Sequence, residues 1–462
     1  MTQPSSFDSM SNATLPGSKA APVQADILNA GVSETFRVRD GLAYGLLGLP
    51  LAFVALPLYV ILPNHYAREF GMSLATLGAI LLGARFFDAL IDPWLGRLSD
   101  RLFARSAASV LQLGGVAALV LALGFTLLFF PQVRSASALA AWAGVMLLLT
   151  YTAYSALSIA HQSWGARLGG NEALRSRIVA WREGLGLVGV VLASVIPIAF
   201  GLPATTGVFF LALALGWLAW RWAPRPLSKT NHTLQHSLLA GQPGGQSDVW
   251  MPFRQIAFCR LLMVFMLNGI ASAVPATLVL FFIQDRLQAP ASMEPLFLAV
   301  YFVSAALSIP LWLARVKRFG LARAWLGGML LAIAVFAWAT QIAAGQTTAF
   351  IIICALSGVA LGADLSLPSA MLAGVIQASG HSGQSEGAYF GWWNFATKLN
   401  LALAAGLALP LLGLAGYAPG VRDATALDAL VVAYCVLPCV LKLAAAASLY
   451  WFFVKKPESV TS

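Results

Sequence analysis

Three ionisable residues stand close together in one apolar stretch, GARFFDALIDPWLGRLSDR: Arg85, Asp88 and Asp92. A helical spacing of i, i+3 and i+7 puts all three on one face. Two carboxylates one turn apart in a low dielectric repel each other, so one holds a proton or the pair holds a cation. Arg85 offsets part of that repulsion, and two acids against one base leave a net negative site suited to H+ or Na+. The competing reading is a structural ion-pair network that locks this helix to its neighbours. A second polar set lies far along the chain, where Asn394 and Lys398 are i and i+4 on one face, with Gly387 and Gly391 on or near it. A lysine there needs a carboxylate, which Asp88, Asp92 or Asp364 can supply.

The elements that carry these groups follow from composition. The 462 residues are 59% hydrophobic and 10% charged, against about 25% charged in a soluble domain, and the mean hydropathy is +0.79. Most of the surface must face lipid. One crossing takes roughly 20 apolar residues, and twelve such stretches are present: 41–64, 73–97, 107–130, 138–161, 176–200, 204–222, 257–283, 295–315, 322–343, 347–373, 388–414 and 425–453. The expected fold is an all-α polytopic membrane protein of two six-helix bundles, at 37–222 and 254–453. Residues 1–36, rich in Ser, Ala, Pro and Asn, read as a disordered cytoplasmic tail. A polar linker at 223–253 joins the halves, and 454–462 form a second cytoplasmic tail.

Orientation follows from the basic residues. With the N-terminus inside, thirteen fall in four inner loops: Arg97, Arg101, Arg105; Arg167, Arg175, Arg177; Arg221, Arg225, Lys229; Arg315, Lys317, Arg318, Arg323. Only Arg68, Arg134, Arg286 and Arg422 fall outside. That asymmetry places both termini in the cytoplasm of a cell inner membrane. The net charge of +10 is scattered among these loops, so nucleic acid is not the expected partner. Cys259, Cys354, Cys435 and Cys439 sit in apolar segments and read as ordinary buried small residues. No HExxH or P-loop occurs, which argues against an enzyme.

At the end of the second stretch, Gly96, Asp100 and Arg101 form G-x-x-x-D-R. This resembles the loop signature of the major facilitator superfamily, in which an acid and a base latch neighbouring helices. With R-x-x-D-x-x-x-D-P at Arg85–Pro93, YT at Tyr151–Thr152, WR at Trp181–Arg182, GADLSLP at 362–368 and EGAYFGWWNFATKL at 386–399, nearly the whole chain resembles the glycoside–pentoside–hexuronide:cation symporters, the melibiose-permease-like family. The resemblance implies a cation site at Asp88, Asp92 and Thr152, with Arg182 and Lys398 near the substrate. Departures from the family pattern are Ile91, which offers a cation no oxygen, Ala52 and Ser155 where acids are usual, and Gly374 and Gln377 near the end of the tenth helix. Remaining solute-facing candidates are Arg85, Ser155, Asp364, Asn394 and the aromatic Tyr59, Tyr151, Tyr154, Tyr389, Trp392 and Trp393; the rings can stack on a sugar or pack against helices and lipid.

The expected activity is alternating-access symport of a sugar, glycoside or similar small solute by a monomer, with H+ favoured over Na+ because of Ile91. No cofactor is implied beyond the coupling ion. The rival within the fold carries a lysolipid or organic acid, or exports. His161 reads as an interfacial residue, and Arg260 and Asn268 as either cavity-facing or interhelical groups.

Overall fold

The structure is a computed structural model that describes residues 36–226, 248–417, 420 and 422–455. The tail expected at 1–36, except residue 36 itself, and most of the linker expected at 223–253 lie outside the described residues, as does the C-terminal tail beyond 455. The rest is helical, as an apolar solvent demands: with no water to satisfy main-chain groups, each span must close its own hydrogen bonds.

The first span, α1, is a run of four segments, Val38–Gly45, Gly48–Phe53, Pro57–Ile61 and Leu62–Glu69. Pro50, Pro57 and Pro63 remove main-chain donors, which explains why the even helix expected at 41–64 is broken. Then follow α2 (Leu74–Arg105), α3 (Ala107–Phe129), α4 (Ala136–Arg167), α5 (Glu172–Pro197) and α6 (Ala199–Arg221). Ser73, Ser106 and Asn171 cap α2, α3 and α5 by accepting from Thr76, Ser109 and Leu174 main-chain N–H. Gly201, at φ 76°, kinks the chain near the start of α6.

The second half holds α7 (Ile256–Arg286), α8 (Glu294–Phe319), α9 (Leu321–Ala339), α10 (Thr347–Ala378), α11 (Glu386–Leu414) and α12 (Ala424–Val454). Nine helices among the described residues are long and apolar enough to cross a membrane: all but α1, α2 and α11. Large apolar residues such as Leu82, Phe86, Phe200 and Leu307 stay exposed, as a lipid-facing wall requires.

One apolar core, with Phe53, Phe125, Phe209 and Trp220, fills the first bundle. Two others, around Trp325 and Tyr389 and around Phe282 and Phe350, fill the second. The bundles meet where α2 and α4 lie on α11, and where α5 lies on α8 and α10. Along part of the α2–α11 seam the two backbones approach through glycines. A Cβ on Gly96 would strike the Gly387 carbonyl, and one on Gly391 would stand 2.6 Å from the Asp92 carbonyl oxygen. Glycine is required there because two backbones touch.

Candidate ion-pair site between the bundles

The two sequence clusters meet across this seam. Lys398 on α11 reaches α2, placing its Nζ 2.7 Å from Asp88 Oδ2 and 2.8 Å from Asp92 Oδ2. It also donates to Ser155 Oγ on α4 at 2.8 Å, and Ser155 donates onward to Asp88 Oδ1 at 2.8 Å. Asp92 is fully buried and Asp88 is 4% exposed. The result is two carboxylates on one bundle gripping one ammonium from the other. The cluster keeps an excess negative charge, and parting the bundles must break it.

Beside it lies a central cavity of about 290 Å³. Asn394 and Thr397 line it on the same helix as Lys398, and Tyr154 and Ser158 flank Ser155 on α4. Arg182 and Glu183, ion-paired to each other, line it from α5, with Trp393, stacked 3.8 Å on Phe265, opposite. Gln162 donates to Asn394 Oδ1 at 3.2 Å and so spans the bundles. Ala52, where an acid was expected from the family pattern, also lines this cavity.

Not every expected residue is brought in. Arg85 is exposed and does not line the cavity, although its charge acts on Asp88; Lys398 stands directly against both carboxylates. Thr152 is half-buried on α4, and none of the cluster's hydrogen bonds among the described residues goes to it. The Tyr59 side chain lies outside the described residues. Tyr389 and Trp392 are corrections. Tyr389 is fully buried against Phe258, its hydroxyl 2.8 Å from His381 Nδ1. Trp392 donates to the Val249 carbonyl and packs on Trp250 and Phe253. Both belong to the packing of the second bundle. His161 is likewise not interfacial: it is fully buried, 2.7 Å from the Tyr44 carbonyl, and ties α4 to α1.

A second buried pair went unnoticed in the sequence. Lys442 on α12 lies 2.8 Å from Asp364 on α10 and donates to Asn268 on α7 at 2.7 Å. Trp325 Nε1 and Ser272 Oγ donate to the same aspartate at 2.9 and 3.3 Å. Asn268 is thus an interhelical group, and Arg260 lies over the Phe452 ring. Asp364 borders both the central cavity and a chamber of about 190 Å³ inside the second bundle, lined by Phe297, Tyr301, Phe336 and Tyr434.

The latch lies at the α2–α3 end, twelve residues below Asp88, or about 18 Å at 1.5 Å per residue. Asp100 accepts from the main-chain N–H of Gly387 at 2.7 Å and of Ala388 at 2.8 Å, capping the first turn of α11 in the other bundle. Its basic partner is not Arg101, which is exposed. Arg167, from the end of α4, lies 2.8 Å from Asp100 and 2.9 Å from Glu386. Glu172 at the start of α5 makes a second cap across the bundles, accepting from Leu321 N–H at 2.8 Å. Both caps tie the bundles together at one end of the molecule.

Residues 41–456 match the profile of the family described as MFS/sugar transport protein. No curated protein matches the sequence. Two solved structures share the fold. A bacterial homologue of the iron transporter ferroportin in its outward-facing state is 15% identical over 90% of this chain and 99% of that chain, with a TM-score of 0.65. The fucose:proton symporter of E. coli is 15% identical over 87% of this chain and 98% of that one, with a TM-score of 0.57.

Proposed function

Because this chain belongs to the MFS/sugar transport protein family, and so is a multi-pass transporter rather than an enzyme, we propose that it is a cation-coupled symporter of a sugar, glycoside or similar small solute in the cell inner membrane. The observation that carries the reading is the Lys398–Asp88–Asp92–Ser155 cluster, because it joins the bundles beside a central cavity. A cation that binds a carboxylate competes with Lys398 for it. Protonation of Asp92 would leave Lys398 paired with Asp88 alone, weakening the tie that opposes separation of the bundles. Solute in the central cavity, met by Arg182, Glu183, Asn394 and Trp393, and a proton at the cluster then favour the same rearrangement.

H+ is the preferred ion. Ile91 gives no oxygen beside Asp92, and Lys398 and Ser155 already engage the oxygens that Na+ would need. Uptake into vesicles is expected to collapse with a protonophore and to change little when Na+ is replaced by choline. Strict Na+ dependence would reverse the assignment.

The thirteen-to-four basic asymmetry supports a cytoplasmic position for the latch end and both termini. Reporter fusions in the linker at 231–245 and after residue 456 should both report a cytoplasmic location, and a periplasmic signal from either overturns that topology.

The cargo is tested by thermal stabilisation of the purified protein with monosaccharides, glycosides, uronic acids, lysolipids and organic acids. Stabilisation by a sugar that is lost in Arg182→Ala or Asn394→Ala supports the proposal. A second reading, an amphipathic or anionic organic solute, draws on the mainly apolar chamber that ends at Asp364 and Lys442. Stabilisation by a lysolipid or organic acid alone, lost in Tyr434→Ala, would select it.

A further inference from the structure

Away from the central cavity, α5 and α8 leave a fissure of about 670 Å³ between the bundles at the latch end. Its rim carries one cation from each bundle, Arg177 on α5 and Lys317 in the last turn of α8. Its walls are apolar, from Trp181 on one side and Ile309, Pro310 and Leu313 on the other. From Lys317 to Ile309 the wall runs eight residues, about 12 Å along the helix axis. The buried contact of Ala180 and Leu187 with Ala305 and Ile309 closes its floor. No acidic side chain is among the described lining residues, and the nearest on α5, Glu172, is taken up by the Leu321 N–H. Arg177 is half-buried, with its guanidinium 5.5 Å from the Phe36 ring.

We propose that an anionic phospholipid occupies this fissure, its phosphate between Arg177 and Lys317 and its acyl chains along the α5 and α8 walls. Charge and shape both argue for a lipid over a free anion. Two cations at a membrane surface attract a phosphate, while an apolar trough about two turns deep offers a soluble phosphate nothing and an acyl chain a wall. Such a lipid touches both bundles at the end closed by the Asp100 and Glu172 caps. It therefore stabilises the latch-closed arrangement.

The test is thermal stability of the full chain in detergent with added phosphatidylglycerol, phosphatidylcholine or inorganic phosphate. Phosphatidylglycerol should raise the melting temperature more than phosphatidylcholine, and phosphate should not reproduce the rise. Arg177→Ala and Lys317→Ala should each weaken phosphatidylglycerol binding roughly fivefold, whereas Arg105→Ala, at an exposed arginine of the same end outside the fissure, should keep the wild-type response. Equal stabilisation by both lipids, a full response in the double variant Arg177→Ala/Lys317→Ala, or a rise with phosphate alone would overturn the proposal. Should the double variant fold poorly, native mass spectrometry of delipidated wild type decides: retained phosphatidylglycerol supports the site, and retained phosphatidylcholine alone refutes it.

Discussion

Asp92→Asn is expected to cut concentrative uptake by about 5- to 150-fold, the range that a coupling free energy of about 1–3 kcal/mol sets, while solute exchange down a gradient survives. The substitution imitates a permanently protonated acid. Lys398 keeps Asp88 at 2.7 Å and Ser155 at 2.8 Å, so the ammonium remains paired and the protein should fold. Asp88→Asn should behave alike, because Asp92 is retained at 2.8 Å. The double variant Asp88→Asn/Asp92→Asn differs in kind. It strands a partly buried ammonium without an anion, at a cost of up to about 3–5 kcal/mol, and its melting temperature should drop well below that of either single change. Adding Lys398→Met to the double variant should recover that stability without recovering uptake. Normal accumulation in both single variants would remove the cluster from the coupling mechanism, and early melting of the single variants with no selective loss of accumulation would make it a structural tie only.

Asp100→Ala should open the latch end. Two main-chain N–H groups of α11 lose their acceptor in the closed form only, each costing about 1–3 kcal/mol when buried and unpaired. A loss of about 3 kcal/mol shifts a two-state balance roughly a hundredfold toward the open form. Amide hydrogen exchange over 386–391 should accelerate strongly, and exchange at 321–325, capped by Glu172, should rise with it if the bundles part as rigid bodies. Asp100→Asn keeps one acceptor oxygen and should fall between. Unchanged exchange at 386–391 in Asp100→Ala would show that the cap does not hold the ends together.

The spans and the α2 triad were legible because each is a local pattern: apolar length for the helices, and a spacing of i, i+3, i+7 for the charges. Pairing was not. Lys398 and Asp92 are 306 residues apart, and nothing in either segment distinguishes Asp88 and Asp92 from Asp364 as the acid that Lys398 finds. Two aromatic assignments failed on helical phase. Asn394 and Lys398 share a face, but Trp392 lies two residues before Asn394 and so points to the far side, while Trp393 reaches the cavity. Arg167 was counted only as a loop charge, although it lies at the end of a helix that faces Asp100. Lys442 carried the clearest overlooked signal, since a lone lysine in LPCVLKLAAAASL needs a buried anion.

The latch is asymmetric in what can be lost. On the α2 side it depends on a single carboxylate, which one nucleotide change can remove. On the α11 side its partners are the main-chain N–H groups of Gly387 and Ala388, which every residue but proline supplies. Side chains in that turn can therefore drift without erasing the donors, provided position 387 stays small enough to clear Gly96 and Asp100. In a diverging lineage, changes in gating at this end should arise through Asp100, Arg167 or Glu386, whereas the rest of the first turn of α11 can contribute only by a proline or by bulk at its glycines.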